Sequence, residues 1–186
     1  QRYLSYVLFK EFSIHINTID FGVDQIYKNK NVLRNIDVVL NYTPTKPRRA
    51  PELVLKILKL CIEKGVTFCT FGEKLNDEDK LLYNSVGVLP KNDLIDLYNT
   101  CNIGICFSLS NPSRIPWEMH KCGLNVIEYD CLANNWDTPF TKMNDENLIL
   151  SYILKMKQKS IKNNPDIKCN TLDDECKSFY NFIQMI

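Results

Sequence analysis

IGICFSLSNPSRIPWEMHKCGLNVIEYD, residues 103–130, alternates two kinds of pattern within one short stretch. IGICFSL (103–109) is a dense apolar run of the kind that makes a strand buried on both faces. IPWEMHKC (115–122) reads as a short helix, with Pro116 suited to the first helical position. Gly123 closes it, and NVIEYD (125–130) reads as another strand. Strand, loop, helix and strand in this order predict two parallel neighbours joined by a crossover. Glu118 stands out as a charged group one turn into a helix flanked by Ile115, Trp117 and Met119.

Working outward, the same alternation continues. IDVVLNY (36–42) is a β-branched strand, and TPTKPRR (43–49) is a proline-rich, basic loop. APELVLKILKLCIEKG has apolar residues at helical spacing and ends on Gly65, a helix-stop signal. VTFCTFG (66–72) predicts a strand, DEDKLLYNS a short helix and VGVL (86–89) a short strand. NDLIDLYNTC predicts a helix capped by Asn92 or Asp93. Residues 145–160 and 172–186 predict two more helices, FGVD (21–24) a turn and KNKNVLRN a loop. FSIHINTI alternates loosely enough to read as a strand. The fold class expected is α/β, a Rossmann-like, doubly wound parallel sheet.

The chain has 186 residues, 45% hydrophobic and 24% charged, which suits one globular domain, or one domain with appendages. With 23 basic and 22 acidic side chains, the balance gives no support for a general nucleic-acid binder. The eight cysteines form no CxxC pair and lie mostly in apolar runs, so free thiols in a reducing, cytosolic setting are expected. His15 and His120 have no cysteines at zinc-finger spacing, and no metal site is expected. No apolar run approaches the ~20 residues that cross a bilayer. QRYLSYVLFKEF has no signal-peptide form. The chain begins at Gln1 rather than Met, and the expectation is a piece of something larger.

In open parallel sheets, ligands bind outside the carboxyl ends of the strands. TPTKPRR, GEKLND and SNPSRIP are the loops that converge there, after the first, second and fourth expected strands. Lys46, Arg48 and Arg49 precede a helix N-terminus, where cations and unpaired N–H groups favour a phosphate or diphosphate. The same triplet also reads as a solvated basic loop. No Walker loop or GxGxxG occurs. Glu118 reads either as a helix-start acid or as a carboxylate that accepts two hydrogen bonds from a sugar diol. His120, Asp24, Asp130 and Trp136 read as structural or turn residues, Trp136 alternatively as a cover over a ligand.

Together these segments resemble the C-terminal, donor-binding domain of GT-B retaining glycosyltransferases, closest to the rhamnosyltransferase-like subgroup. FGVD, YTPTKPRRAPEL, FGEK, the long stretch from VGVLPKND to VIEYD, and LANNW carry the resemblance, over about residues 20 to 160. It implies a nucleotide-diphosphate sugar as donor and no separate cofactor or metal. The reaction implied is retaining transfer of the sugar to an acceptor hydroxyl in glycan or polysaccharide synthesis. Glu118 would contact the ribose and, with Arg48, is the candidate catalytic residue. Lys46, Arg49, Gly87, Val88, Leu89, Ser110, Asn111, Pro112 and Ser113 would line the donor site. The chain departs from the family at two places: Ser110 stands where the first of two glutamates falls, and Thr43 where the first phosphate-binding cation falls. Residues 1–20 would be a linker or the end of a missing N-terminal acceptor domain, 21–165 the nucleotide-sugar domain and 166–186 a C-terminal helix. This half alone would be inactive, and the full enzyme cytoplasmic, with membrane association left open. A degenerate, non-catalytic binding or interaction module is the alternative. A nucleotide-sugar epimerase of the same fold is a further rival. The sugar, base and acceptor are not specified by these residues.

Overall fold

The computed structural model describes residues 22–110, 113–131, 138–158 and 169–184. The FSIHINTI strand, His15, Asn111, Pro112, Trp136 and the LANNW loop lie outside the described residues. Strand β1 (Ile36–Tyr42) leads through a 3-10 turn at Pro47–Arg49 into helix α1 (Pro51–Glu63). Strand β2 (Phe68–Gly72) is followed by α2 (Asp77–Leu82) and α3 (Lys91–Thr100). Strand β3 (Cys101–Ile105), α4 (Ile115–Lys121), β4 (Asn125–Tyr129), β5 (Thr141–Met143), α5 (Glu146–Gln158) and α6 (Leu172–Gln184) complete the order.

The five strands are parallel and lie in the order β2-β1-β3-β4-β5. Strand order reverses between β1 and β3, the place where open parallel sheets ordinarily form a ligand crevice. Alternation along the strands covers both faces. Val38, Leu40, Ile103, Ile105 and Ile127 pack with Val54, Ile57 and Leu58 of α1 and Ile149 and Ile153 of α5. Val39, Phe71, Cys106 and Val126 face the other way, onto Ile95 and Tyr98 of α3 and Met119 of α4. This is the doubly wound sheet that the sequence predicts.

Local chemistry explains the helix limits. In α1 the buried positions Val54, Ile57, Leu58 and Cys61 fall on one stripe. The Gly65 N–H donates to Ile62 and the Val66 N–H to Cys61, a Schellman stop that satisfies two terminal carbonyls. Asn76 caps α2 by accepting from the Asp79 N–H at 2.8 Å, and Asp145 accepts from the N–H groups of Asn147 and Leu148 ahead of α5. Helix α4 settles closely on β3 because Gly104 has no side chain; a Cβ there would fall 2.6 Å from Met119 Sδ.

Several expectations are corrected. VGVL forms no strand: Ser85 makes a single bridge to Thr70, and the Gly72 N–H donates to the Gly87 carbonyl, so this segment only borders β2. The SNPSRIP loop therefore follows the third strand of the described sheet, not a fourth. Helix α3 starts at Lys91 with Pro90 in the cap position and no side-chain cap, so neither Asn92 nor Asp93 caps it. Strand β3 stops at Ile105, and the apolar run continues as buried, irregular chain through Phe107. Strand β5 was not anticipated, since TKM has too few residues to show a period. All eight cysteines are free thiols. Among the described residues no helix is long and apolar enough to cross a membrane.

Candidate functional site

The crevice between the ends of β1 and β3 brings two of the predicted loops together. The Leu109 N–H donates to the Arg48 carbonyl at 2.8 Å, which ties the basic loop to the loop before α4. Arg49 turns inward: its Nη1 donates to the Phe107 carbonyl at 3.2 Å and lies 3.4 Å from Cys106 Sγ. Lys46 and Arg48 are exposed on the outer side of the same loop. The expected cationic rim is therefore divided, with Arg49 built into the floor and Lys46 and Arg48 facing solvent.

Ser113 is buried, and its Oγ accepts from the Ile115 N–H at 3.3 Å, fixing the entry into α4. Ser110 is exposed at the tip of the loop. Gly87 has both backbone polar groups engaged, the carbonyl by Gly72 and the N–H by Ser85 Oγ at 3.3 Å. Backbone groups of Val88, which is exposed, and of half-buried Leu89 are left as the candidates for base contacts on this segment.

Glu118 sits in the first turn of α4, partly buried. Burial pushes its carboxyl above the ordinary glutamate range, opposed by the positive charge of Lys91, a hydrogen bond donated by the Tyr27 hydroxyl and the charge of Arg114; Asp24 adds to the upward push. Tyr27 is buried, and burial foremost, with the Glu118 charge next, raises its phenol. Lys91 in turn donates to Asp24 Oδ2 at 2.9 Å. The Tyr27 hydroxyl thus bonds this carboxylate while Lys91 and Arg114 act on it only by charge, so it retains lone pairs for hydroxyl donors.

Three further buried polar groups lie in the sheet and the elements around it, of which only Glu128 carried no sequence signal. Thr43 is buried at the end of β1, and its Oγ1 has no hydrogen-bond partner among the described residues. Glu128 is buried on β4 in register with Lys142 of β5. Burial pushes its carboxyl up to about 7, partly offset by the Lys142 charge. The Cys106 N–H donates to the Ile127 carbonyl at 3.2 Å, which brings Cys106 level with Glu128 on the same face. Nothing in a strand-like NVIEY distinguishes this acid from a solvent-facing one. His120 is buried and turned to structure: its Nδ1 lies 3.3 Å from the Leu124 carbonyl and its ring packs edge-on to Phe140.

The family model of the WsaF C-terminal domain matches residues 37–153. A sucrose-phosphate synthase from Thermosynechococcus elongatus has the same fold, with a TM-score of 0.73 at 13% identity, covering 100% of this chain and 57% of that one. A glycosyltransferase from Rickettsia africae is similar with a TM-score of 0.71 at 14% identity, over 99% of this chain and 61% of that one. HepE of Anabaena, solved in complex with UDP and glucose, gives a TM-score of 0.68 at 14% identity, over 91% of this chain and 57% of that one. The O-antigen biosynthesis protein RfbC of Myxococcus xanthus is 38% identical over 56 residues, 30% of this chain and 4% of that protein. The chain thus spans less than two thirds of each of these proteins, and a small fraction of the last. On the family match and the shared fold, the chain belongs to the WsaF C-terminal domain family, a glycosyltransferase-like C-terminal domain of GT-B fold.

Proposed function

We propose that this domain binds the nucleoside diphosphate of a sugar donor in the crevice between the ends of β1 and β3. The observation that carries this reading is the junction of the basic loop with the loop before α4, with Glu118 one turn further on. The diphosphate would lie against that junction, with Arg48 and Lys46 offsetting its charge in place of a metal ion. Glu118 would accept hydrogen bonds from the ribose diol, and the segment Gly87–Leu89 would border the base. Ser110 and Ser113 would face the diphosphate and sugar. The chemistry would be transfer of the sugar to an acceptor hydroxyl with retention, in glycan or polysaccharide synthesis. The domain stabilises the departing diphosphate and holds the sugar in reach of the acceptor. The acceptor side would come from a further domain, and this chain alone would bind donor without turnover. Similarity to an O-antigen biosynthesis protein and to HepE, solved with UDP and glucose, supports the class of reaction.

Calorimetric titration with UDP, GDP, dTDP and ADP tests the reading, with Glu118→Ala and Arg48→Ala alongside. One diphosphate is expected to bind selectively, and each substitution to weaken it by about tenfold or more, as for loss of a charged hydrogen bond. Binding that ignores both substitutions would place the ligand elsewhere. Absence of binding by folded wild type, here and joined to its neighbouring domain, would favour the non-catalytic module.

A further inference from the structure

Arg114 stands one residue before α4, between two carboxylates. Its Nη2 donates to both oxygens of Glu175, at 2.6 and 2.7 Å. Its charge also reaches Glu118, the next acid along the same face of the helix. The two acids belong to different parts of the fold: Glu118 lines the crevice, and Glu175 comes from the C-terminal helix α6.

Glu175 is not a loose surface partner. Its side chain is only 15% exposed, against 49% for Arg114. Its Oε2 accepts a third hydrogen bond, from the Gly22 N–H at 2.9 Å. The start of α6 is fixed by a reciprocal cap: the Thr171 hydroxyl accepts from the Asp174 N–H at 3.2 Å, and Asp174 Oδ2 accepts from the Thr171 N–H at 2.8 Å. Val23 joins this start through a parallel bridge to Thr171 and donates its N–H to the Asn170 carbonyl at 2.9 Å. Gly22 permits the approach, because a Cβ there would lie 1.9 Å from the Thr171 carbonyl oxygen. The Glu175 carboxylate is thus held in place before Arg114 reaches it. An exposed ion pair ordinarily contributes little, but one whose half-buried carboxylate is already held by a backbone N–H decides where its partner rests.

We propose that Glu175 is a positioning residue for the donor site: by clamping Arg114 it keeps that guanidinium from closing onto Glu118 and leaves the Glu118 carboxylate open to a ligand diol. This rests on the donor-site reading given above. The titratable groups that interact with Glu118 among the described residues include Tyr27, Lys91, Arg114, Asp24, Tyr98, Cys106 and Cys122. Of its two arginine and lysine neighbours, Lys91 is occupied by Asp24 and Arg114 by Glu175. Each cation has its own acid, and Glu118 is left for a neutral hydroxyl donor. Without Glu175, Arg114 stands four residues before Glu118 on the same helix face, and a pair between them would compete with ligand.

The test uses Glu175→Gln, which keeps an acceptor for the Gly22 N–H, together with Arg114→Ala and the double variant. Nucleoside diphosphate affinity is expected to fall about tenfold in Glu175→Gln and to return to within about threefold of wild type in the double variant. A Glu175→Gln protein that binds as wild type does, or a double variant as weak as the single one, overturns the proposal. A carbon-detected NMR titration of the Glu118 carboxyl gives a second readout that needs no ligand. The clamp predicts that its midpoint falls in Glu175→Gln and recovers in the double variant; an unchanged midpoint overturns it. Failure of wild type to bind any nucleoside diphosphate defeats the donor reading instead, and the NMR result separates the two failures. A Glu175→Asp variant is expected to preserve both readouts.

Discussion

Glu128→Gln is expected to stabilise the domain at alkaline pH relative to acid pH. Glu128 is 6% exposed on β4, and burial raises its carboxyl from an ordinary value of 4.5 to about 7, with Lys142 offsetting part of the cost. The folded protein therefore keeps this proton up to about 7, whereas the unfolded chain releases it near 4.5. In that window the folded state binds more protons, so stability falls as pH rises, and the loss is complete above about 7. A shift of this size corresponds to about 3 kcal/mol in full, of which about 2.5 kcal/mol develops between pH ~5 and pH ~8. Glutamine carries no such proton. Its extra N–H adds a constant cost of about 1–2 kcal/mol if unpaired, which is independent of pH. Urea unfolding of wild type and Glu128→Gln at the two pH values reads the difference directly. The gap between them is expected to move by about 2–3 kcal/mol in favour of the variant on going to pH ~8. A gap constant to within about 0.5 kcal/mol would refute the reasoning, because it would mean that Glu128 is already ionised in the folded protein at pH ~5.

Arg34→Met is expected to destabilise the domain by about 3 kcal/mol, lowering the melting temperature by about 6–12 °C, because the half-buried guanidinium donates to the carbonyls of Tyr98, Cys101 and Cys122 where α3 and α4 end. An unchanged melting curve would show those carbonyls to be solvated without it. Gly22→Ala is expected to loosen the start of α6, since the added methyl meets the Thr171 backbone; hydrogen exchange at residues 172–184 should speed up while that of β1 and β3 does not change. Equal protection of α6 in both proteins would count against the close approach at Gly22. Loss of diphosphate binding in Arg48→Ala and Glu118→Ala, set out above, tests the candidate site itself.

Much of the sheet was legible because its signals are local. The buried β1 announces itself by a run of β-branched residues, and α1 by a four-residue apolar stripe closed at Gly65. The order of these elements was enough to expect a parallel, doubly wound sheet, with TPTKPRR, GEKLND and SNPSRIP as the loops expected at its carboxyl edge. What failed locally was short or irregular: VGVL borders β2 without a ladder, and β5 contributes three residues. A single bridge and a three-residue edge strand depend on neighbouring backbone, which leaves no period in the chain's own residues.

The same division holds for the site. Sequence placed Arg48 and Arg49 in the loop after β1 and Glu118 on the helix after β3, because strand–helix order fixes which segments follow which strands. It could not determine that Arg49 would turn inward to the Phe107 carbonyl while Arg48 stays outside, a choice made by the closeness of β1 and β3. Tyr27, Lys91, Arg114 and Glu175 are scattered over the chain, and none is remarkable in its own segment. They surround or govern Glu118 only because α3, α4 and the start of α6 come together at one corner. Local propensity specifies an element within a few neighbouring residues. The charge environment of a carboxylate depends on groups within a few ångströms of it, however far apart in sequence, and only the tertiary structure brings those together.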